Sequence, residues 1–178
     1  MSKLLERVVN PENIDFESEE IESDAHNFTY GLTSDPLTQF TVVFCALIHD
    51  VDHTGVSNGQ LIKEEAHIAS LYKNKSVAEQ NSIDLAWDLL MQNDYKDLRA
   101  CIYTNETEFK RFRQLVVNTV LATDIFDKEL SALRKNRWNK AFNDTPDEES
   151  PTDAANRKAT IVIEHLIQAV RFEAYLSV

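Results

Sequence analysis

Residues Thr41 to Ile48, TVVFCALI, form an apolar run that stops abruptly at His49-Asp50-Val51-Asp52-His53. Upstream, Ser34-Asp35-Pro36 reads as a helix start, a capping polar residue followed by proline at the first helical position. The spacing predicts a helix from Leu37 to about Asp50, apolar on nearly all faces and therefore central and buried. Such a helix ending in two imidazoles and two carboxylates leaves two possibilities. Either the polar end holds a cation, or it is a helix terminus meeting water.

On a continuing helix, His49, Asp52 and His53 share a face, because three and four residues separate them. Asp50 then points about 100° away from His49. One imidazole beside one carboxylate can hold one cation and reach toward a second. Imidazole suits zinc-like ions, whereas carboxylates and water suit magnesium or manganese. Two such ions can clamp a phosphate and generate hydroxide from a bridging water. Against this stands simple capping. Histidine near a helix C-terminus interacts well with the dipole, but two aspartates there do not. Charged groups at the end of a buried helix need partners. Spacing alone leaves both readings open. The zinc-protease pattern H-E-x-x-H is disfavoured, because Asp50 stands where the glutamate base must be.

The rest of the chain reads as helices. Only 3 Gly and 4 Pro interrupt 178 residues, and no long stretch alternates apolar with polar residues. Leu4, Leu5, Val8 and Val9 have helical spacing, ended by Asn10-Pro11. Residues 12–24 are acidic and poor in apolar side chains, as a solvated linker is. Gly55 and Asn58-Gly59 mark a loop. Helical spacing resumes over Leu61 to Tyr72. Ser76-Val77-Ala78-Glu79 has a capping-box pattern opening a helix with Leu85, Leu89 and Leu90. A helix over about Glu106 to Thr123 places Phe109, Phe112, Val116 and Val120 on one face. Another, Lys128 to Phe142, turns Leu130, Leu133 and Trp138 inward. NDTPDEESPTD is a loop by composition, and a last helix spans about Ala154 to Ala169. The expected fold class is all-α.

Charge and cysteine content narrow the partners. A formal charge of −12 repels a nucleic acid polymer. A small anion remains acceptable, because a bound cation reverses the sign locally. Two cysteines are too few for a disulfide scaffold and fit a reducing compartment. The longest apolar run, about eight residues, is far short of the ~20 that span a bilayer. These features predict a cytoplasmic polypeptide with no membrane segment, compatible with being cut from a larger multidomain protein.

The stretch ALIHDVDHTGVSNGQLI resembles the class I 3′,5′-cyclic nucleotide phosphodiesterases, whose pattern is H-D-x-x-H-x-G-x-x-N. His49, Asp50, His53, Gly55 and Asn58 fit it. SLYKNKSVAEQNS, Ser70 to Ser82, is similar to the family segment Y-N-x-x-S-V-L-E-N-H. LATDI, Leu121 to Ile125, resembles the family's T-D helix. The likeness covers about Leu37 to Ala169. It implies an all-helical metal-dependent phosphohydrolase bundle, here incomplete, with a two-metal centre of zinc and magnesium or manganese. By that resemblance His49 and Asp50 are metal ligands. His53 and Glu79 face the water network as catalytic groups. Asn58, Thr123 and Asp124 support them from behind. Each has a plainer rival. Glu79 completes the capping box, Asn58 shapes a turn, and Asp124 is a solvated helix-end residue. His67 and His165 read as exposed or packed histidines.

The resemblance also has gaps. The family's upstream H-N-x-x-H-A motif supplies the general acid and a second histidine ligand. His26-Asn27 in HNFTYG imitates it by chance, with Tyr30 in place of the second histidine, so the true motif is expected before Met1. Val170 and Arg171 stand where the remaining metal-binding aspartate is sought. Residues 1–35 are therefore expected to be a helix and acidic linker, and 36–178 a partial catalytic domain. The implied activity is hydrolysis of cyclic AMP or cyclic GMP to the 5′-monophosphate, impaired in this chain alone. The alternative is a catalytically inactive helical binding module. Helix faces that meet absent helices are expected to be sticky.

Overall fold

The structure, a computed structural model, describes residues 2–9, 29–143 and 151–176. The acidic linker, His26-Asn27 and the loop at 144–150 lie outside them. Among the described residues there is no strand, in keeping with the expected all-α class.

Helix α1 spans Ser2–Val9, and a 3-10 turn at Leu32–Ser34 leads into α2, Pro36–Ile48. Asp35 caps α2 by accepting the Thr38 amide proton at 3.2 Å and the Thr38 hydroxyl at 2.6 Å. Two short helices follow, α3 (Asn58–Lys63) and α4 (His67–Leu71), and then the longer α5 (Val77–Met91). A 3-10 turn at Asn93–Tyr95 and α6 (Lys96–Ile102) lead to α7 (Glu106–Leu121), α8 (Lys128–Phe142) and α9 (Pro151–Leu176). Asn105 and Asp127 cap α7 and α8 through the Glu108 and Leu130 amides at 2.9 Å each. Polar side chains at these positions take up amide protons that the first helical turn leaves unpaired.

Helix α7 is the hub. It packs most extensively on α2, and also against α5 and α9. Phe112, Val116 and Val120 from α7 meet Cys45 and Ile48 from α2, Ile83, Ala86 and Leu90 from α5, and Ile167 from α9. The Phe112 ring lies within 5.8–6.2 Å of the Phe40, Phe44, Trp87 and Tyr103 rings. A second cluster joins Leu32, Val42, Leu115, Ala159 and Ile163. Leu61, Ala69 and Val77 close a satellite core under α3 and α4.

Several expectations change. Helix α2 is not buried all round, since Leu47 is 79% exposed and Phe40 and Val43 also reach solvent. Leu85 and Leu89 of α5 are exposed while Leu90 points inward. Leu133 and Trp138 of α8 are exposed as well, because α8 packs on α9 alone to any extent and buries little but Ala141. The predicted continuous helix from Leu61 to Tyr72 is two helices. Glu65 adopts a left-handed φ of 51°, and the Ala66 and Glu65 amides donate back to the Leu61 and Ile62 carbonyls. That pairing terminates α3, because it satisfies carbonyls the helix would otherwise leave open. Helix α9 begins at Pro151 and extends past Ala169.

Candidate functional site

Helix α2 ends at Ile48, earlier than its apolar run suggests. His49 is the C-cap, its amide donating to the Cys45 carbonyl at 2.9 Å. The chain then turns, with Val51 N–H on Ile48 O and His53 N–H on Asp50 O. Asp52 has a left-handed φ of 60°. The helical face shared by His49, Asp52 and His53 is therefore not formed. The turn is held from α5, where the Asn81 amide donates to the Asp52 carboxylate at 3.1 Å and the Ser82 hydroxyl to the Val51 carbonyl at 2.8 Å.

His49 Nδ1 lies 3.0 Å from the Ala46 carbonyl. A carbonyl cannot donate, so Nδ1–H is the donor in that pair. Nε2 faces Asp50 Oδ2 at 3.1 Å. With Nδ1 as donor, those two atoms are both acceptors unless a proton or cation lies between them. This nitrogen–carboxylate edge is the part of the structure whose donors suit a divalent ion. Among the described residues no three His, Cys, Asp or Glu side chains gather to hold a metal. A hydrolytic ion usually takes about three protein ligands, so the described residues do not complete a metal site.

His53 Nδ1 accepts the Gly55 amide proton at 3.1 Å, which assigns the ring proton to Nε2. Gly55 has a φ of 80°, a backbone position that favours glycine.

A second group of predicted residues is joined behind this turn. The Asn58 side-chain NH2 lies 2.8 Å from Glu79 Oε2 and 3.2 Å from Asp124 Oδ2, and so donates to both carboxylates. Its Oδ1 accepts the Ala78 amide proton at 2.9 Å. Glu79 and Asp124 are both buried. Asp124 Oδ1 accepts the Phe126 and Asp127 amides, and Oδ2 accepts the Ser76 hydroxyl at 2.8 Å. Thr123 is buried, its hydroxyl donating to the Val120 carbonyl at 2.7 Å.

These contacts decide the plainer readings. Ser76 is the N-cap residue of α5, but its side chain makes no capping bond. Its backbone is left-handed, with φ 38°, and its hydroxyl goes to Asp124, which is 48 residues away. The capping box is therefore not formed, and Glu79 is tied to Asn58 instead. Asn58 does more than shape a turn, and Asp124 is buried, not solvated. His67 and His165 are exposed. Ser76, Asn81 and Ser82 are the supporting residues that sequence reasoning missed. Helix α5 carries both Glu79 and the two side chains holding the 51–52 turn, so it joins the two groups.

The model of the 3′5′-cyclic nucleotide phosphodiesterase family matches residues 23–172. The chain belongs to this family. It is 35% identical over 86 residues to the human dual specificity calcium/calmodulin-dependent 3′,5′-cyclic nucleotide phosphodiesterase 1C, a match covering 48% of this chain and 12% of that protein. It is 35% identical over 108 residues to the human cGMP-inhibited 3′,5′-cyclic phosphodiesterase 3A, covering 54% of this chain and 9% of that protein. The fold is similar to the crystal structure of the phosphodiesterase domain of Salpingoeca rosetta rhodopsin phosphodiesterase, with a TM-score of 0.60 at 21% identity. That match covers 94% of this phosphodiesterase-family chain and 51% of the solved one. The phosphodiesterase-family chain thus spans about half of the solved domain and a small part of the curated relatives. No helix among its described residues is long and apolar enough to cross a membrane.

Proposed function

We propose that this chain carries part of the centre for metal-dependent hydrolysis of 3′,5′-cyclic nucleotides to 5′-nucleoside monophosphates. The observation that carries the reading is the His49 Nε2–Asp50 Oδ2 edge at 3.1 Å, which sits at a helix end in a chain of this family. His49 and Asp50 are the residues assigned to a divalent ion, zinc or magnesium or manganese, with further ligands from outside the described residues. A bound ion supplies Lewis-acid charge at the phosphoryl group. His53 offers an Nε2–H donor beside that edge in sequence. Asn58 fixes the Glu79 carboxylate, and Ser76 and Asn58 fix Asp124. These groups order the polar surroundings of the reacting phosphate, and Thr123, next to Asp124 in the chain, is buried with its hydroxyl on the Val120 carbonyl.

Two measurements test this. Calorimetric titration with zinc should show weak, saturable binding that Glu79→Gln leaves largely in place and His49→Ala abolishes. With only two donors assigned here, turnover of cyclic AMP or cyclic GMP by the isolated chain should be weak or absent. Robust turnover abolished by Asp50→Ala would overturn the expected impairment. The competing reading is a non-catalytic helical module, favoured by the want of a three-donor cluster among the described residues. Absence of zinc binding by the folded wild-type chain selects that module.

A further inference from the structure

The solvent-facing side of α2 is apolar. Its exposed positions are Pro36, Phe40, Val43 and Leu47, and Leu47 is 79% exposed. The polar residues of the helix are turned elsewhere. Thr38 and Thr41 are buried, and the Gln39 side-chain amide donates to the Leu32 and Thr33 carbonyls. At about 100° per residue, the four exposed positions fall within an arc of about 60°. A surface helix ordinarily shows polar side chains there. Separations of four, three and four residues are those of a seam that packs against another helix.

A groove opens beside the first turn of the same helix. Pro36, Leu37 and Phe40 of α2 and Leu98 and Ile102 of α6 line a space of about 580 Å³. The charged side chains on its wall are already engaged. Arg111 pairs with Asp35, and Glu108 accepts the Thr104 amide and hydroxyl protons. An apolar group therefore fills the groove without stripping a charge of its partner. Leu47 is such a group, on the same face, eleven residues from Pro36. That is about 16 Å along the axis, too far for Leu47 to reach the groove of its own chain.

We propose that this face pairs with the same face of a second copy of the chain, α2 against α2, antiparallel about a two-fold axis. The spacing supports this, because four, three and four read the same in both directions. An axis between Phe40 and Val43 sets Phe40 against Val43 of the second copy. The same operation sets each Leu47 against the other copy's Pro36, at the mouth of its groove. Both leucines are seated at once, so the contact closes as a dimer instead of growing into a fibre. Antiparallel alignment also brings opposite ends of the two helix dipoles together. Residues 36–48 contain no charged side chain, so the centre of the contact has no like-charge pair despite a net charge of −12 per chain. The pairing does not depend on the proposed hydrolysis.

Sedimentation equilibrium of the whole chain, with a chelator present, tests this. A monomer–dimer equilibrium is expected with a dissociation constant on the order of 10 µM, because the stripe is short. Added salt should tighten it, since screening relieves the repulsion between like-charged chains and leaves the apolar contact in place. Leu47→Glu should weaken dimerisation about tenfold or more. Leu133→Glu adds the same charge at an exposed leucine of α8 and should leave dimerisation unchanged. Both side chains are exposed, so the variants should fold, which circular dichroism checks. On dilution of the wild-type chain, amide shifts should centre on residues 36–51 and 98–102. The proposal fails if folded wild-type chain stays monomeric at about twenty times that concentration, or forms open-ended oligomers. It fails too if Leu47→Glu dimerises like wild type, or if Leu133→Glu weakens the dimer as much. A monomer that binds anilinonaphthalene sulfonate with amide shifts at residues 40–47 has this face open for a different helix, and that also overturns self-pairing. Because zinc is absent from this experiment, failure to dimerise and failure to bind zinc are read separately.

Discussion

Asn58 gives a sharp test of how the site is held. Its amide donates to two buried carboxylates, at 2.8 and 3.2 Å, and its oxygen accepts the Ala78 N–H at the start of α5. Hydrogen bonds to charged groups are worth about 1.5–3 kcal/mol each and neutral ones about 1. Such terms are not additive, and water can enter the space left by truncation. Asn58→Ala is therefore expected to cost about 3 kcal/mol. Asn58→Asp keeps the shape but brings a third carboxylate against Glu79 and Asp124. It should cost more than Asn58→Ala at pH 7. Its folded-state pKa is raised by the two neighbouring acids, so its deficit shrinks as pH falls and grows again as pH rises. Urea unfolding of both variants at several pH values, with unchanged m-values, measures this. A cost under about 1 kcal/mol for Asn58→Ala, or identical pH profiles for the two variants, would refute the idea that this amide bridges two buried acids.

Two further outcomes follow from burial. Burial pushes the Glu164 carboxyl above its ordinary value of 4.5, and Arg137 only partly opposes this. Its stabilising contribution is thus complete below the unfolded carboxyl's pKa and lost as pH rises through the raised folded value. Glu164→Gln should remove that part of the stability–pH slope, measured by urea midpoints; an unchanged slope contradicts it. Cys45 is buried with its thiol pKa raised by desolvation, whereas Cys101 is exposed. Iodoacetamide should alkylate the folded chain at Cys101 alone and at both sites in urea, read by peptide mass; early labelling of Cys45 tells against the core described.

Local signals in the sequence suffice where the answer is local. Asp35-Pro36 opens α2 because the capping carboxylate and its amide sit three residues apart. Lys128 to Phe142 is helical as its composition suggests. Local reading fails where a distant partner competes. Ser76 and Glu79 have the spacing of a capping box, but Asp124 and Asn58 claim their side chains. Helical geometry at His49 to His53 fails because α2 ends at Ile48 and Asp52 turns left-handed. The inward face expected for α8 is largely exposed, because periodicity marks an apolar stripe without saying whether another helix covers it. The pairing of Asn58 with Glu79 and Asp124 spans 21 and 66 residues. No spacing rule reaches that far, and only the family resemblance placed the three together.

The central position of α7 also sets the order in which the molecule can assemble. Its partners α2 and α5 are made before it, and α9 after it. Until α7 emerges from the ribosome, Phe44, Cys45 and Ile48 have no cover from Phe112 and Val116. The satellite core of Leu61, Ala69 and Val77 draws on residues close together in the chain. It can collapse early at little loop-closure cost, whereas joining α2 to α7 closes a long loop. The nascent chain therefore passes through a stage with one small core finished and its aromatic centre still wet, the period in which a chaperone would find it.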